Sequence, residues 1–594
     1  MRHPISPIVL WLTIGLLLSA CRPAPSQPAE LPVVTQVPTE SPMIQTTSII
    51  AIRLDQALYS PGEAVQLSLH LQSQVDQPTP VHLTATITHK ADTVDTIEKT
   101  FSLTGGDQTI ELLYTPPPDA PRGYGIDLGL ETESGTQLVG GATAFDVLQR
   151  WTQAPRYGFL TDFFPGRSDA SPTMDDLTRY HINGLQFYDW MYRHDQFLTD
   201  QEPYLDPLGR RLSRATVENL IAAAHERHIA ALPYTAIYAA SVPFYEEHPD
   251  WALYQANGKP YLLGENFLVY MDPRPDSPWV HHLLGQFDQV LRQMDFDGIH
   301  LDQYGDPKQG YDSQGQRFDL ACPLAATINA TKELVRSHRP EGAVAFNAVN
   351  NWPIETVASS EQDFSYIEVW PPHTLYRDLW KLIVNAQELG QGKPVVLAAY
   401  IEPTRYRNAR LADAVIFASG GYHIELGEQG GMLADAYFPK YQKMSDDLAA
   451  VMRRYYDFAV RYENVLALGT QDSTDEAASR VTIKGVNTDP RRAYKKVWVI
   501  TRQGEGFETV SLINLLGITS PEWNGLLLAD PTPLDGLQVR YQTEQRVKRV
   551  WLASPDFASP QAITLDFSTG QNDQGRTIEF TVPRLEYWDL VVIE

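Results

Sequence analysis

The sequence predicts a multidomain chain in which a (β/α)8 TIM-barrel catalytic domain is flanked by an N-terminal immunoglobulin-like β-sandwich and a C-terminal β-sandwich. Three observations predict it. Eight β-like runs alternate with amphipathic stretches over about 275 residues, the count and length of a (β/α)8 barrel. Short alternating strands with turn signals both precede and follow that region. The length, 594 residues, has room for three or four domains at roughly 150 residues each.

The elements follow in order. Arg2 and His3 lead into an apolar run, Ile8 to Leu18, closed by Ser19-Ala20-Cys21. A basic start, a short apolar core and small residues before a cleavage point make a secretory signal over residues 1–20. The run is well short of the roughly 20 residues that span a bilayer. Leu18-Ser19-Ala20-Cys21 resembles a bacterial lipobox, which places a lipid on Cys21 and anchors the protein outside the cytoplasm, at the cell surface or in the periplasm. Residues 21–46 are rich in Pro, Ser, Thr and Gln and almost uncharged, a tether that cannot bury a core.

Residues 47–149 carry the first sandwich. Ile50 to Leu54 and Ala64 to Leu71 alternate around the turn Ser60-Pro61-Gly62-Glu63, and runs at Val81, Lys99, Gln108 and Gly123 continue the series. Residues 150–468 hold the barrel. Its strands are expected at Arg156–Phe163, Ile182–Trp190, Ala230–Tyr238, Gly298–Tyr304, Ala343–Val349, Phe364–Trp370, Pro394–Ile401 and Gly421–Leu426. Helices are expected at Ala215–His228, Val280–Gln293, Ala325–Ser337, Leu375–Leu389 and Ala409–Phe417, with one more over 440–463. A doubly wound sheet also uses such strands, but no Gly-rich phosphate turn follows the first. Residues 469–594 return to short alternating strands.

Lys plus Arg total 47 against 73 Asp plus Glu, a net charge of -26. That balance excludes nucleic acid or an anionic lipid surface as a partner held by bulk charge; contact with a membrane is expected through the N-terminal lipid only. Two cysteines, Cys21 and Cys322, exclude a disulfide framework and a Cys-rich zinc protein. No Gly-x-Ser-x-Gly elbow is present. His281, His282 and His300 lack zinc-ligand spacing, so no metal ligands are assigned. Asp295-Phe296-Asp297-Gly298 starts like a calcium loop without its later ligands. Asp312 with Asp319 leaves a structural calcium ion open, and no other cofactor is expected.

In barrel enzymes chemistry sits at the carboxyl ends of the strands. In Asp297-Gly298-Ile299-His300-Leu301-Asp302, period-two alternation puts His300 and Asp302 on one face. Glu368 ends strand six, with Trp370 two residues on. A strand-end acid alone is often a helix cap. Two carboxyls converging across one barrel mouth, beside Trp and Tyr faces that suit sugar rings, are what glycoside hydrolysis needs. Tyr188, Asp189, Trp190, His194, Asn347, Trp370 and Tyr400, at or just past other strand ends, are the expected substrate-binding residues.

The passages Pro155-Arg156-Tyr157-Gly158-Phe159-Leu160 and Tyr180 to His194 (YHINGLQFYDWMYRH) strongly resemble glycoside hydrolase family 66, the dextranases and cycloisomaltooligosaccharide glucanotransferases. Asp-Gly-Ile-His-Leu-Asp-Gln and Tyr-Ile-Glu-Val-Trp resemble that family's two catalytic strands, and the order of domains is similar too. The resemblance implies Asp302 as nucleophile, Glu368 as general acid/base, and retention at α-1,6-linked glucan. It implies an endo-acting, dextranase-like hydrolase that releases isomaltooligosaccharides from dextran. The cyclising transferases of the family resemble a dextranase with a carbohydrate-binding module inserted near the end of the barrel, and no β segment of that size stands here. The alternatives are the transferase itself and a non-catalytic surface glycan-binding lipoprotein.

Overall fold

The computed structural model describes residues 46–265, 267–488, 494–572 and 575–594. The signal, the tether to residue 45 and the lipidation at Cys21 lie outside the described residues. Residues 46–594 form one unit with three layers of structure in sequence order.

The first layer is two antiparallel sheets. One joins Thr47–Leu54, Val65–Ser73 and Gly106–Tyr114; the other joins Asp92–Leu103, Thr79–His89, Arg122–Thr132 and Gln137–Val147. Alternation decides the core between them: Val65, Leu67, Leu69 and Leu71 point inward from one sheet and Val81, Leu83, Ala85 and Ile87 from the other. The last layer also has two sheets, of six and four strands, around Val497, Val499, Val539 and Val591.

Between them runs a parallel sheet with the strands β1 (Tyr157–Leu160), β2 (Gly184–Phe187), β3 (Ala230–Ala236), β4 (Gly298–Asp302), β5 (Ala343–Asn347), β6 (Phe364–Glu368) and β7 (Val395–Ala398). An eighth is split into β8 (Tyr422–His423) and β9 (Leu426–Gly427). β8 pairs with β7, and Gly427 of β9 pairs with Phe159 of β1. The eight parallel positions therefore close on themselves. Helices α1 (Ala170–Thr178), α2 (Arg214–His225), α3 (Pro278–Gln293), α4 (Ala321–His338), α5 (Tyr376–Leu389), α6 (Tyr406–Ala418) and α7 (Asp446–Arg461) follow in chain order. Serines start several of them: Ser213, Ser277 and Ser445 each accept a backbone N–H of the first turn. Apart from α1, which the sequence reading did not place, and strand eight, which is split, strands and helices fall where period two and period 3.6 place them, with each strand a few residues shorter than its apolar run.

Alternation also sorts the ring's two faces. Tyr157, Phe159, Leu232, Ala343, Ala345, Phe364, Tyr366, Val396 and Ala398 fill the inside. Leu185, Phe187, Ile299, Leu301, Val344, Phe346, Ile367 and Leu397 pack outward against the helices. Gly298 is required where it stands, since a Cβ there would sit 1.8 Å from the Ala343 carbonyl oxygen. It lets β5 lie close against β4 and so fixes the spacing of whatever those strands carry at their ends.

Buried ion pairs tie the first layer to the middle one. Arg156, ahead of β1, lies 2.7 Å from Asp146 of the first layer and 3.4 Å from Glu463 beyond α7, and all three are buried. His181 meets Asp457 of α7 at 2.8 Å, and Asp457 also accepts from Thr143. Removing one member of such a cluster strands the others without water. Arg156→Met is expected to cost about 3 kcal/mol of stability, as for other broken buried pairs. Calorimetry would check it, and an unchanged unfolding temperature would refute the tie.

Candidate active site

Asp302, Asn347 and Glu368 are the last residues of β4, β5 and β6, all of inward parity. The amide of Asn347 binds both acids: its Nδ2 donates to Asp302 Oδ1 at 2.7 Å and to Glu368 Oε2 at 3.0 Å. Since one nitrogen touches both, those oxygens are no farther apart than the two contacts laid end to end. Each acid has a second phenolic donor. Tyr234 of β3 donates to Asp302 Oδ2 at 2.7 Å, and Tyr400 donates to Glu368 Oε1 at 2.7 Å. Gln303 holds the neighbouring turn, its amide donating to the Asn347 and Trp352 carbonyls.

Burial pushes both carboxyls up. Asp302 rises to about 7, raised by burial first and the Glu368 charge second, against donation from Tyr234 and Asn347. Glu368 is raised by burial and held back by Tyr400, Asn347 and Trp370. Repulsion acts equally from either side. Both shifts act to keep a proton on the pair toward neutral pH, and neither assigns it to one carboxyl.

The pair opens into a cleft of about 720 Å³ lined by Tyr188, Tyr234, Tyr238, Tyr304, Asp306, Lys308, Asn350, Trp352 and Trp370. Trp370 and Tyr304 stand exposed at 40% and 52%. A second cleft, about 490 Å³, shares Tyr188, Tyr234 and Tyr238 and adds Asp189, His194, Phe267 and Tyr437. A smaller cavity of about 250 Å³ between the first layer, α7 and the last layer is lined by Ile49, Ile52, His181 and Arg453 and includes neither acid.

The expected binding residues divide accordingly. Tyr188, Trp370 and Tyr400 surround the acids; Tyr188 stacks on Phe438 at 4.3 Å, and Trp370 lies 5.9 Å from Tyr400. Asp189 and His194 line the second cleft. Burial raises Asp189 to about 7 and lowers His194 to about 4, so His194 is neutral at pH 7. Trp190 is corrected. It is 1% exposed, packs on Phe296 and donates to the Tyr234 carbonyl, so it supports β3 and meets no ligand. The left-handed turn at Asp189, with φ of +50°, ends the alternation of β2 and sends Trp190 outward. Tyr234 and Tyr238 escaped the sequence reading although β3 offered them by the same parity rule. The other strand-end acids are committed elsewhere: Asp162 accepts from Tyr441, and Glu425 is fully buried beside His423. In the loop weighed for calcium, Asp312 already accepts from Gln314, Gln316 and Arg274, while Asp319 caps Ala321.

Tyr234 favours the ionised form of Asp302, so its removal has a definite sign. Tyr234→Phe is expected to raise the Asp302 pKa and move the acidic limb of the rate profile to higher pH. A loss of about tenfold at neutral pH accompanies it, the size of one good donor to a charge. A pH–rate profile of kcat/KM checks this, and an acidic limb left in place would contradict it.

Two carboxyls bridged by one amide nitrogen across the mouth of a closed parallel sheet, rimmed by aromatic faces, are the arrangement a glycoside hydrolase needs. The particular family follows from comparison: the profile of glycosyl hydrolase family 66 matches residues 54–592, and the chain belongs to that family. It is 25% identical to a cycloisomaltooligosaccharide glucanotransferase of Niallia circulans, over 91% of this chain and 71% of that one. It is also 25% identical to a dextranase of Streptococcus salivarius, over 80% of this chain and 67% of that one. The fold matches a crystal structure of a Paenibacillus sp. cycloisomaltooligosaccharide glucanotransferase complexed with cycloisomaltoheptaose. The TM-score is 0.87 at 22% identity, covering 92% of this chain and all of that one.

Proposed function

We propose that the closed ring is a (β/α)8 catalytic barrel and that the chain is a retaining glycoside hydrolase cleaving internal α-1,6 linkages of dextran to isomaltooligosaccharides. One observation carries the mechanism: the shared Asn347 amide, which holds the two acids at 2.7 Å and 3.0 Å from a single nitrogen. Retaining enzymes need roughly 5–5.5 Å between the carboxyls, while inverting enzymes leave about 6.5–9.5 Å for a water. The two contacts bring one oxygen of each acid within 5.7 Å (2.7 plus 3.0) of the other, which favours the narrower class. Asp302, ionised and steadied by Tyr234 and Asn347, attacks the anomeric carbon as protonated Glu368 delivers its proton to the departing glucosidic oxygen. Glu368, now a carboxylate, draws a proton from water, which displaces Asp302 from the same face and restores the configuration. The two joined clefts suit an extended chain bound on both sides of the acids, with Tyr and Trp faces against sugar rings. No cofactor enters this route.

The substrate class rests on the relatives' names, dextranase and cycloisomaltooligosaccharide glucanotransferase. Cyclisation is the second reading, favoured by the likeness in fold. Against it stands length. The match to the Niallia circulans enzyme runs over 697 positions, of which this chain fills 91% of its 594, about 540. Roughly 155 positions of the transferase thus have no counterpart here, against about 100 of the Streptococcus salivarius dextranase by the same count (575 less 80% of 594), so length favours the hydrolase only slightly. A time course on dextran with residues 46–594 separates the readings. Linear isomaltooligosaccharides support the hydrolase, and cyclic products the transferase. Products from another α-glucan alone overturn the substrate, and silence with measurable binding supports a glycan-binding protein.

We place this activity at the cell surface, on a lipid carried by Cys21. Radioactive palmitate fed to expressing bacteria should label the protein, and Cys21→Ser should abolish the label. An unlabelled wild type would remove the anchor.

A further inference from the structure

Strand eight is the weak seam of the ring. β8 pairs with β7 at two positions and β9 with β1 at one, and Ile424 and Glu425 stand between them outside either strand. Yet this segment carries Glu428, which accepts from the Thr161 and Asp162 amides and pairs with Arg167 at 2.8 Å. It thereby fixes the loop after β1; the gap is spanned by two backbone bonds, Ile424 N–H to the Leu397 carbonyl and Leu433 N–H to the Glu425 carbonyl, and by a cluster of side chains.

His423, Glu425 and Asp413 of α6 meet there, none more than 1% exposed. His423 Nε2 lies 3.0 Å from the Ala399 carbonyl oxygen, which only accepts, so Nε2 bears a hydrogen. Nδ1 then faces both acids, at 2.9 Å from Asp413 Oδ1 and 3.3 Å from Glu425 Oε2. The three ligand atoms lie within 4.8 Å of one another. Asp413 Oδ2 and Glu425 Oε2 are buried with no hydrogen-bond donor, although the two carboxyls are in contact. Tyr456 of α7 donates to Glu425 Oε1 at 3.1 Å. No Lys or Arg is paired with either acid among the described residues.

We infer that Asp413, His423 and Glu425 form a structural site for one first-row divalent cation, Zn2+ by its donor set. Two carboxylates need two positive charges when buried, and the single imidazole supplies at most one. A divalent ion balances them, uses the Nδ1 lone pair, and leaves Nε2–H on a backbone carbonyl, the usual second contact of a metal-bound histidine. One nitrogen and two oxygens suit Zn2+, with Mn2+ as a weaker substitute. The ion would staple strand eight to α6 and, through Tyr456, to α7. Two protons, one on Nδ1 and one between the carboxyls, would balance the charge equally well, so metal content decides.

The full chain, produced without an affinity tag and dialysed against chelator-treated buffer, should carry about one Zn2+ per chain by inductively coupled plasma mass spectrometry. X-ray absorption should show a nitrogen and oxygen shell at ~2.0 Å. His423→Gln and Asp413→Asn should each lower the content at least tenfold. Should neither variant fold, the wild type alone still decides. Less than a tenth of an equivalent of every first-row divalent metal, even after growth with added Zn2+ or Mn2+, overturns the site and leaves the cluster to protons. Full metal content in a folded His423→Gln, or a sulfur shell around the metal, overturns it as well.

Discussion

Asp302→Asn is expected to lower kcat on dextran by on the order of a thousandfold or more, because the covalent route ends without its nucleophile. The substitution keeps the shape of the side chain. Tyr234 can still donate to the amide oxygen, and β4 keeps its packing on β3 and β5, so the variant should fold and bind. The charge change has a second, separable effect. Asp302 and Glu368 repel each other's ionised forms, so a neutral amide in place of the Asp302 carboxylate should lower the Glu368 pKa. Asp302→Ala opens room on the nucleophile's face. Azide should then restore turnover of an activated α-glucosyl fluoride and give the β-azide, because the small anion attacks where the carboxylate stood. Near-normal turnover by Asp302→Asn, or an α-azide from Asp302→Ala, would contradict the role.

Glu368→Gln is expected to lose on the order of a thousandfold on dextran, within the range general acid catalysis supplies, while leaving the first step nearly intact on isomaltosyl fluoride. Fluoride departs without a proton, whereas a sugar alkoxide does not. The alkaline limb of the pH–rate profile should disappear with the acid that makes it. Its position in the wild type has a clear sign: burial raises the Glu368 pKa, so the group stays protonated, and the enzyme active, to higher pH than an exposed glutamate would permit. Equal losses on dextran and on the fluoride would show that Glu368 is not the acid.

Much of this site was legible because the ring obeys a two-residue period. Once Ile299 and Leu301 are read as outward, Asp302 must point in, and the same parity brings Asn347 and Glu368 to the mouth on the next two strands. Tyr234 obeys the rule as well, but tyrosine on an apolar strand reads as core, and only its contact with Asp302 separates the two. Trp190 shows where the rule stops. Its position has inward parity, yet the left-handed turn at Asp189 breaks the strand one residue earlier. Asp413, His423 and Glu425 had no local signature. They join a helix to the strand that closes the ring, and that contact exists only after closure. Nor does any spacing reveal that one Asn347 amide reaches both acids.

That shared amide leads to the most direct test. Proton nuclear magnetic resonance of the first sugars released from dextran, recorded before mutarotation, reports the anomer the enzyme makes. Acids held at 2.7 Å and 3.0 Å from one nitrogen predict α-anomeric reducing ends first, with the β-anomer growing in later. A β-anomer first would mean that water attacks directly across a wider gap, and would contradict the double displacement through Asp302.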